Sequence, residues 1–198
     1  MDLVRDPRLR SDRTAAYFAQ LPETARRCAR PFARHMQNWL GMTDPPTHTR
    51  LRNIILRAFT PAIVRQWEPR IPNICHGLLD RAEGLSDTPD LKTNLADRLP
   101  ATVICHMLGL SADIHDQFRA WTDGLIAGVE KTGPALIEGV ATAQAAYEQM
   151  HEFLMPIINE RRQRPGDDLI SLLAQAEWEG HHLDDDEMLG MSVFLFIA

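Results

Sequence analysis

Apolar residues along most of this 198-residue chain are spaced as in α-helices. After Asp44 they recur at the i, i+3, i+4, i+7 and i+8 positions of one helix face, which is typical of a helix packed on a core. Asp44 suits an N-cap and Pro45 suits the first turn, so the pattern predicts a helix that begins here. The members of the apolar face are Leu51, Ile54, Ile55, Ala58 and Phe59.

The same periodicity predicts further helices, separated by proline, glycine and capping residues. Thr60 and Pro61 should begin the next helix, and Pro69 and Pro72 should interrupt it. Gly128, Gly133 and Pro134 are expected to break the chain between two later helices. The other predicted helices cover residues 91–110, 111–126, 135–163, 167–176 and 187–198.

Two short stretches lack this periodicity. Residues 14–43 contain Pro22, Pro31 and Gly41, which predicts a loop with short helical pieces.

The adjacent histidines 181 and 182, beside three aspartates, suggest a metal site, but a turn gives them no convergent spacing. Asp184 with Glu187 is instead typical of a capping box at the start of the last helix.

The charge balance argues against nucleic-acid binding. The chain has 21 Lys or Arg and 27 Asp or Glu, a formal net charge of −6. Residues 1–70 hold 13 Arg against 6 Asp or Glu, a net +7, which leaves −13 for the remainder. A basic first third leaves room for an anionic ligand or an acidic partner protein.

Cysteine content and hydropathy indicate the compartment. Cys28, Cys75 and Cys105 are odd in number and widely spaced, so neither a disulfide framework nor a zinc site is predicted. The N-terminus lacks the apolar core of a signal peptide, and no apolar run approaches the length of a membrane span. We therefore expect a cytoplasmic protein without a membrane segment.

Polar residues beside the apolar face that follows Asp44 are the candidate chemistry. At about 100° per residue, His48 and Arg52 lie one turn apart along the edge of this face, whereas Arg50 and Arg57 point to the opposite side. A guanidinium next to a core needs a negative partner, because an unpaired one is costly there. The partner is either a carboxylate of the protein or a bound anion.

These residues also carry a family resemblance. Asp-Pro-Pro-x-His-Thr-Arg-Leu-Arg at residues 44–52, followed by Ala-Phe-Thr-Pro at 58–61, resembles the signature of bacterial cytochromes P450, the haem-thiolate monooxygenases. In that family the His and the second Arg hydrogen-bond the haem propionates, which implies that role for His48 and Arg52. The sequence of residues 99–110 is also close to that of the family.

The resemblance implies an all-α, partial cytochrome P450 fold in one incomplete domain. Residues 1–43 would form an opening helix and a loop near the substrate, and residues 44–198 would form the helical core. Trp39, Leu40 and Met42 would lie near the haem edge, although they fit the role of ordinary loop anchors equally well. The last residues resemble the family's long central helix just before its Gly-x-Glu/Asp-Thr-Thr motif. This places Phe194, Ile197 and Ala198 towards the substrate, although Phe194 and Ile197 fit core packing equally well.

Three motifs of the family are missing from this sequence: the Phe-x-x-Gly-x-x-x-Cys-x-Gly loop that supplies the axial thiolate, the Glu-x-x-Arg motif in its usual place, and the oxygen-activating Thr. We therefore expect a truncated chain that is inactive alone. The resemblance implies a parent enzyme that uses haem b, a small hydrophobic substrate and a ferredoxin-type electron donor.

Another class of function also fits the composition. A free-standing all-helical ligand-binding or interaction module, such as the regulatory domain of a helical repressor, has comparable length. The first third of the chain shows no clean helix-turn-helix, which argues against a whole DNA-binding protein.

Overall fold

The computed structural model describes residues 9–85 and 88–197. These residues form eleven α-helices and no strand, which confirms the all-α fold class. An isolated antiparallel bridge joins Trp178 to His181. No helix in the described part is long and apolar enough to cross a membrane. The opening helix expected before residue 9 lies outside the described residues.

The helices are numbered in chain order. They are α1 (Thr14–Ala19), α2 (Glu23–Cys28), α3 (Arg30–Met36), α4 (Thr47–Ala58), α5 (Pro61–Trp67), α6 (Ile71–Glu83), α7 (Arg98–Met107), α8 (His115–Glu130), α9 (Ala135–Gln163), α10 (Leu169–Gln175) and α11 (Asp185–Ile197). Short 3₁₀ turns cover Leu40–Met42 and Ala112–Ile114, and a π-turn covers Lys92–Ala96.

Local signals located several helices correctly. The prediction for α9 is confirmed at both ends. The Thr60 hydroxyl accepts a hydrogen bond from the backbone N–H of Ile63, as expected of an N-cap. Asp168 caps α10 in the same way, since its carboxylate accepts from the backbone N–H of Ser171 at 2.8 Å. The predicted interruption falls between α5 and α6, where Pro69 lies.

Residues 14–43 are more helical than predicted, because α1, α2 and α3 occupy much of this segment. Phe18, Phe32, Met36 and Trp39 are all buried there. Isolated helices this short are not stable in water. Contacts with the rest of the fold therefore order them, and a local pattern could not reveal this.

The predicted start of α4 is wrong. The helix begins at Thr47, so Asp44 is not its N-cap residue and Pro45 does not lie in its first turn. The Asp44 carboxylate instead accepts hydrogen bonds from the preceding segment, namely from the backbone N–H groups of Ser11 and Asp12 and from Nε of Arg10. These donors, the Ser11 N–H first among them, lower the pKa of Asp44 to about 2. Asp44 thus joins residues 10–12 to the approach to α4.

The predicted break at Gly128 is also wrong, since α8 continues through this residue. A Cβ on Gly128 would overlap Cβ of Ala143 and lie 2.9 Å from Cε1 of Phe32. A Cβ on Gly124 would lie 2.8 Å from Cβ of Ala146. These glycines allow close packing of α8 on α9 and do not end a helix.

The apolar helix α11 lies within the core. Residues 187–193 are buried without interruption, and α3, α7, α9 and α10 all contact this helix. The chain packs tightly against it at Gly190, where a Cβ would lie 2.7 Å from Cβ of Asn38. The buried apolar side chains of the described residues form one continuous cluster around α11.

Gly128→Ala is expected to destabilise the fold by about 1–3 kcal/mol, because the added methyl overpacks the contact between α8 and α9. Gly77→Ala is the matched control: Gly77 lies inside α6 with no atom within 4 Å of an added Cβ. This control should gain up to about 1 kcal/mol from helix propensity. Urea unfolding of both variants measures the difference. Equal stabilisation by both substitutions would contradict the close-packed contact.

His35 should make stability depend on pH. Its side chain is 2% exposed, and its Nε2 accepts a hydrogen bond from Nε1 of Trp39 at 3.0 Å. Burial, aided by repulsion from His151, lowers the pKa of His35 from 6.5 to about 3. Between these two values the unfolded chain binds a proton that the folded chain does not. The free energy of unfolding should therefore fall by up to about 1.4 kcal/mol per pH unit as the pH drops.

The test compares wild type with His35→Gln, which retains an acceptor for Trp39 and does not titrate. Unfolding measured at several values between pH 6.5 and pH 4 should give a shallower slope for this variant. His181→Gln, at an exposed position, should retain the wild-type slope. A wild-type slope in His35→Gln would show that another group causes the pH dependence.

Candidate functional site

α4 holds His48 and Arg52 on a side that the described residues leave open. Its buried residues, among them Leu51 and Ile54, fix the rotation of the helix against the core. His48 is consequently half-buried and Arg52 is exposed. Within the described part of the chain, neither side chain forms a hydrogen bond or an ion pair. The alternative of an internal salt bridge to a helix carboxylate is therefore not seen there.

Apolar surface continues the line of these two residues. Leu56, one turn beyond Arg52, is 54% exposed, and Phe59 at the end of α4 is half-buried. We call His48, Arg52, Leu56 and Phe59 the α4 strip. Unpaired nitrogen donors beside exposed apolar side chains suit a ligand that is both anionic and apolar.

The two outward arginines of α4 differ from Arg52, because each has a protein partner. Arg50 donates from Nη1 to Oε2 of Glu187 at 3.2 Å and from Nη2 to Oε1 of the same carboxylate. This fork raises the pKa of Arg50. The guanidinium of Arg57 lies 5.1 Å from the ring centroid of Trp178, within cation–π range.

Glu187 is also part of the predicted capping box, which is confirmed. The Asp184 carboxylate accepts from the backbone N–H of Glu187 at 2.9 Å, and the backbone N–H of Asp184 donates to Oε2 of Glu187 at 3.1 Å. Glu187 is 8% exposed. Its carboxylate therefore has two tasks: it caps α11 and it binds the guanidinium of Arg50 on α4.

On the second half of α11, Phe194 and Ile197 are half-buried, and Ala198 lies outside the described residues. A Cβ on Gly41 would lie 3.7 Å from Cε2 of Phe194. The turn at residues 40–42 therefore packs beside Phe194. Phe196 points elsewhere, since its ring centroid lies 4.3 Å from that of Phe118 on α8.

Two of these contacts were not predicted from the sequence, namely that between Gly41 and Phe194 and that between Arg50 and Glu187. The second had a signal. A Glu at the third position of an apolar helix is a cap, but once buried its carboxylate also needs a cation. The pattern predicted that Glu187 caps α11, but it did not identify Arg50 as the cation that binds the Glu187 carboxylate.

The cysteines and the histidine-rich turn provide no metal site in the described residues, where no group of three or more His, Cys, Asp or Glu side chains is arranged to hold an ion. Cys105 is fully buried, and this burial raises the pKa of its thiol to about 11. Cys28 is exposed and Cys75 is half-buried.

Comparison with known proteins identifies the family, although no protein-family model matches the chain. Cytochrome P450 107B1 from Saccharopolyspora erythraea is 39% identical over 164 residues, which cover 83% of this chain and 37% of that protein. Mycinamicin IV hydroxylase/epoxidase from Micromonospora griseorubida is 32% identical over 181 residues, which cover 91% and 44%. The crystal structure of substrate-free CYP109E1 from Bacillus megaterium superimposes with a TM-score of 0.69 at 35% identity, covering 82% and 42%.

The chain belongs to the bacterial cytochrome P450 family. It spans about two fifths of the length of these two P450 relatives. Its described helices match a helical portion of the P450 fold. Membership of the P450 family implies haem as the cofactor.

The α4 strip fits that cofactor chemically. Haem is a flat, largely apolar ring with two carboxylates, and it requires nitrogen donors beside apolar surface. His48 and Arg52 are such donors without a partner in the described chain, and Leu56 is the adjacent apolar side chain.

Asp184→Ala is expected to destabilise the fold by about 1 kcal/mol, because the backbone N–H of Glu187 loses its side-chain acceptor. Asp167→Ala is the charge-matched control, since Asp167 is exposed. Thermal or urea unfolding measures both variants. Equal stability of the two would contradict the capping role.

Proposed function

We propose that this chain carries the propionate-binding helix and one wall of the substrate pocket of a haem-dependent monooxygenase. Such an enzyme inserts one oxygen atom of O₂ into a small hydrophobic molecule. The observation that carries the proposal is the α4 strip, where His48 and Arg52 present unpaired donors beside the exposed Leu56. The relatives support the reaction class, since one is named for hydroxylating and epoxidising mycinamicin IV.

His48 and Arg52 would hold the two propionates of haem b. Arg is suited to this role, because its planar guanidinium stays charged and donates two parallel hydrogen bonds to one carboxylate. His48 would donate from a ring N–H one turn away. When bound, the haem supplies the iron centre for oxygen chemistry, and the role of this chain is to hold and orient it.

Phe194, Ile197 and Ala198 would form the pocket wall on α11. Phe194 is half-buried beside the turn at Gly41, so two separate segments meet at this wall. Apolar side chains here would bind a hydrophobic substrate and exclude water. Under this proposal, residues 39–42 border the same pocket.

The axial thiolate would come from outside this sequence. Cys105 is buried with a pKa of about 11 and thus remains a thiol. Cys28 and Cys75 lack the glycine pattern of the thiolate loop. We therefore propose that these 198 residues do not catalyse oxygenation alone.

A cytoplasmic ferredoxin-type protein is the proposed electron donor of the complete enzyme. The relatives give no support to the alternative of a free-standing ligand-binding or interaction module.

The test compares haemin with haemin dimethyl ester, in which both propionates are blocked. Quenching of tryptophan fluorescence measures the affinity of the 198-residue chain for each. Hydrogen bonds to charged groups are worth about 1.5–3 kcal/mol, so wild type should prefer haemin at least about tenfold. Arg52→Ala and His48→Ala should each reduce this preference several-fold.

Arg81→Ala provides the control, because Arg81 is exposed on α6 and its loss changes the net charge equally. This variant should retain the preference for haemin. Equal affinity of wild type for haemin and the ester, or an undiminished preference in Arg52→Ala, would refute the propionate role.

A further inference from the structure

We infer that Arg50 and Glu187 form a positioning pair that sets α4, and with it His48 and Arg52, against α11. The inference rests on the proposed function, since it explains how the two proposed parts of the site are held together. Arg50 lies between His48 and Arg52 in sequence and projects from the other side of α4. It would act through the helix and would not touch the ligand.

The fork between Arg50 and Glu187 has a defined geometry. Both terminal nitrogens of Arg50 donate to the carboxylate, one to each oxygen. A two-point contact fixes the direction of a side chain more tightly than one hydrogen bond does. The backbone N–H of Asp184 donates to the same carboxylate. Glu187 is thereby held in place before it binds Arg50.

Burial distinguishes this pair from its neighbours. Three consecutive acidic residues in the first turn of α11 bind arginines from three other helices: Asp185 binds Arg162 of α9, Asp186 binds Arg34 of α3, and Glu187 binds Arg50 of α4. The side chains of these acidic residues are 61%, 30% and 11% exposed, respectively. Exposed pairs contribute little. The Glu187 pair is therefore the one expected to control helix position.

The consequence for α4 follows from helix geometry. Leu51 and Ile54 hold its buried face, and Arg50 fixes its first turns to α11. A rotation by one residue turns every side chain by about 100° and would break the fork. Arg52 would turn by the same angle. The fork thus restricts α4 to the rotation in which His48 and Arg52 face the proposed ligand.

The experiment uses Arg50→Met, Arg50→Lys and Glu187→Gln in the 198-residue chain. Gln at this position keeps the capping box, so Glu187→Gln removes only the charge that binds Arg50. Gly128→Ala is the structural control, because it overpacks the contact between α8 and α9 and leaves the Arg50 fork in place. Each variant is measured for thermal stability and for the ratio of haemin affinity to dimethyl ester affinity.

Arg50→Met should lower this affinity ratio three- to tenfold, although His48 and Arg52 are intact. Arg50→Lys should recover part of the ratio, since it keeps the charge without the fork. Adding Glu187→Gln to Arg50→Met should cause little further loss, because residues that act through one contact are not additive. Gly128→Ala should lower stability without changing the ratio. If Arg50→Met behaves like Gly128→Ala, the positioning role is wrong.

A second measurement does not require haem. Spin labels at Leu56→Cys on α4 and Glu152→Cys on α9, both exposed positions, report the position of α4 once Cys28 and Cys75 are replaced by Ser. Wild type should give one narrow distance distribution, and Arg50→Met should broaden or shift it. An unchanged distribution overturns the positioning pair whatever the haemin result. A broadened distribution with an undiminished ratio in Arg52→Ala would support the pair and reject the proposed function.

Discussion

A helix segment without a continuous polar face must be buried on every side, and α11 meets this constraint over residues 187–193. The rest of the described structure follows from this constraint. The helices α3, α7, α9 and α10 cover its sides, and the contact at Gly190 brings it close to the backbone of Asn38. The acidic residues of α11 lie in its first turn, where Asp185, Asp186 and Glu187 bind arginines of three other helices. The proposed pocket wall at Phe194 and Ile197 follows directly after this buried stretch, where the helix becomes half-buried.

The proposed site combines two kinds of support. Apolar packing of Leu51 and Ile54 gives α4 its place on the core, but such packing is non-directional. The fork between Arg50 and Glu187 adds direction, because it is satisfied in only one geometry. His48 and Arg52 have no partner among the described residues, whereas Arg50 and Arg57 both contact protein groups. Basic residues a few positions apart on α4 therefore differ in role: Arg50 and Arg57 contact the protein, and His48 and Arg52 are the proposed ligand donors.

The sequence predicted those features that depend on neighbouring residues. Both ends of α9, the cap at Thr60, and the box of Asp184 and Glu187 arise within a few positions, and all are confirmed. Features that depend on distant residues were not predicted. Asp44 has the residue type of an N-cap, but its carboxylate binds a segment more than thirty residues earlier. Glycine often ends a helix, but Gly128 lies inside α8, where its missing side chain allows α9 to pack closely.

The candidate site shows the same division. Periodicity placed His48 and Arg52 on one edge of α4, and the structure leaves both side chains without a partner in the described residues. It did not predict the pairing of Arg50 with Glu187, because these residues are 137 positions apart. The turn at Gly41 beside Phe194 is likewise a contact between distant segments. Local patterns thus identify the donors, and tertiary contacts determine how they are held.

The contact between α8 and α9 also limits how this sequence can vary over evolution. A Cβ on Gly139 would lie 2.5 Å from the carbonyl oxygen of Ala127, and Gly124 and Gly128 face alanines at similarly short range. A larger side chain at Gly124 or Gly128 requires a smaller residue at the facing alanine of α9, whereas no side-chain exchange relieves the backbone contact at Gly139. Substitutions at Gly124 and Gly128 should therefore be inherited in pairs, whereas exposed positions such as Gly77 can change singly.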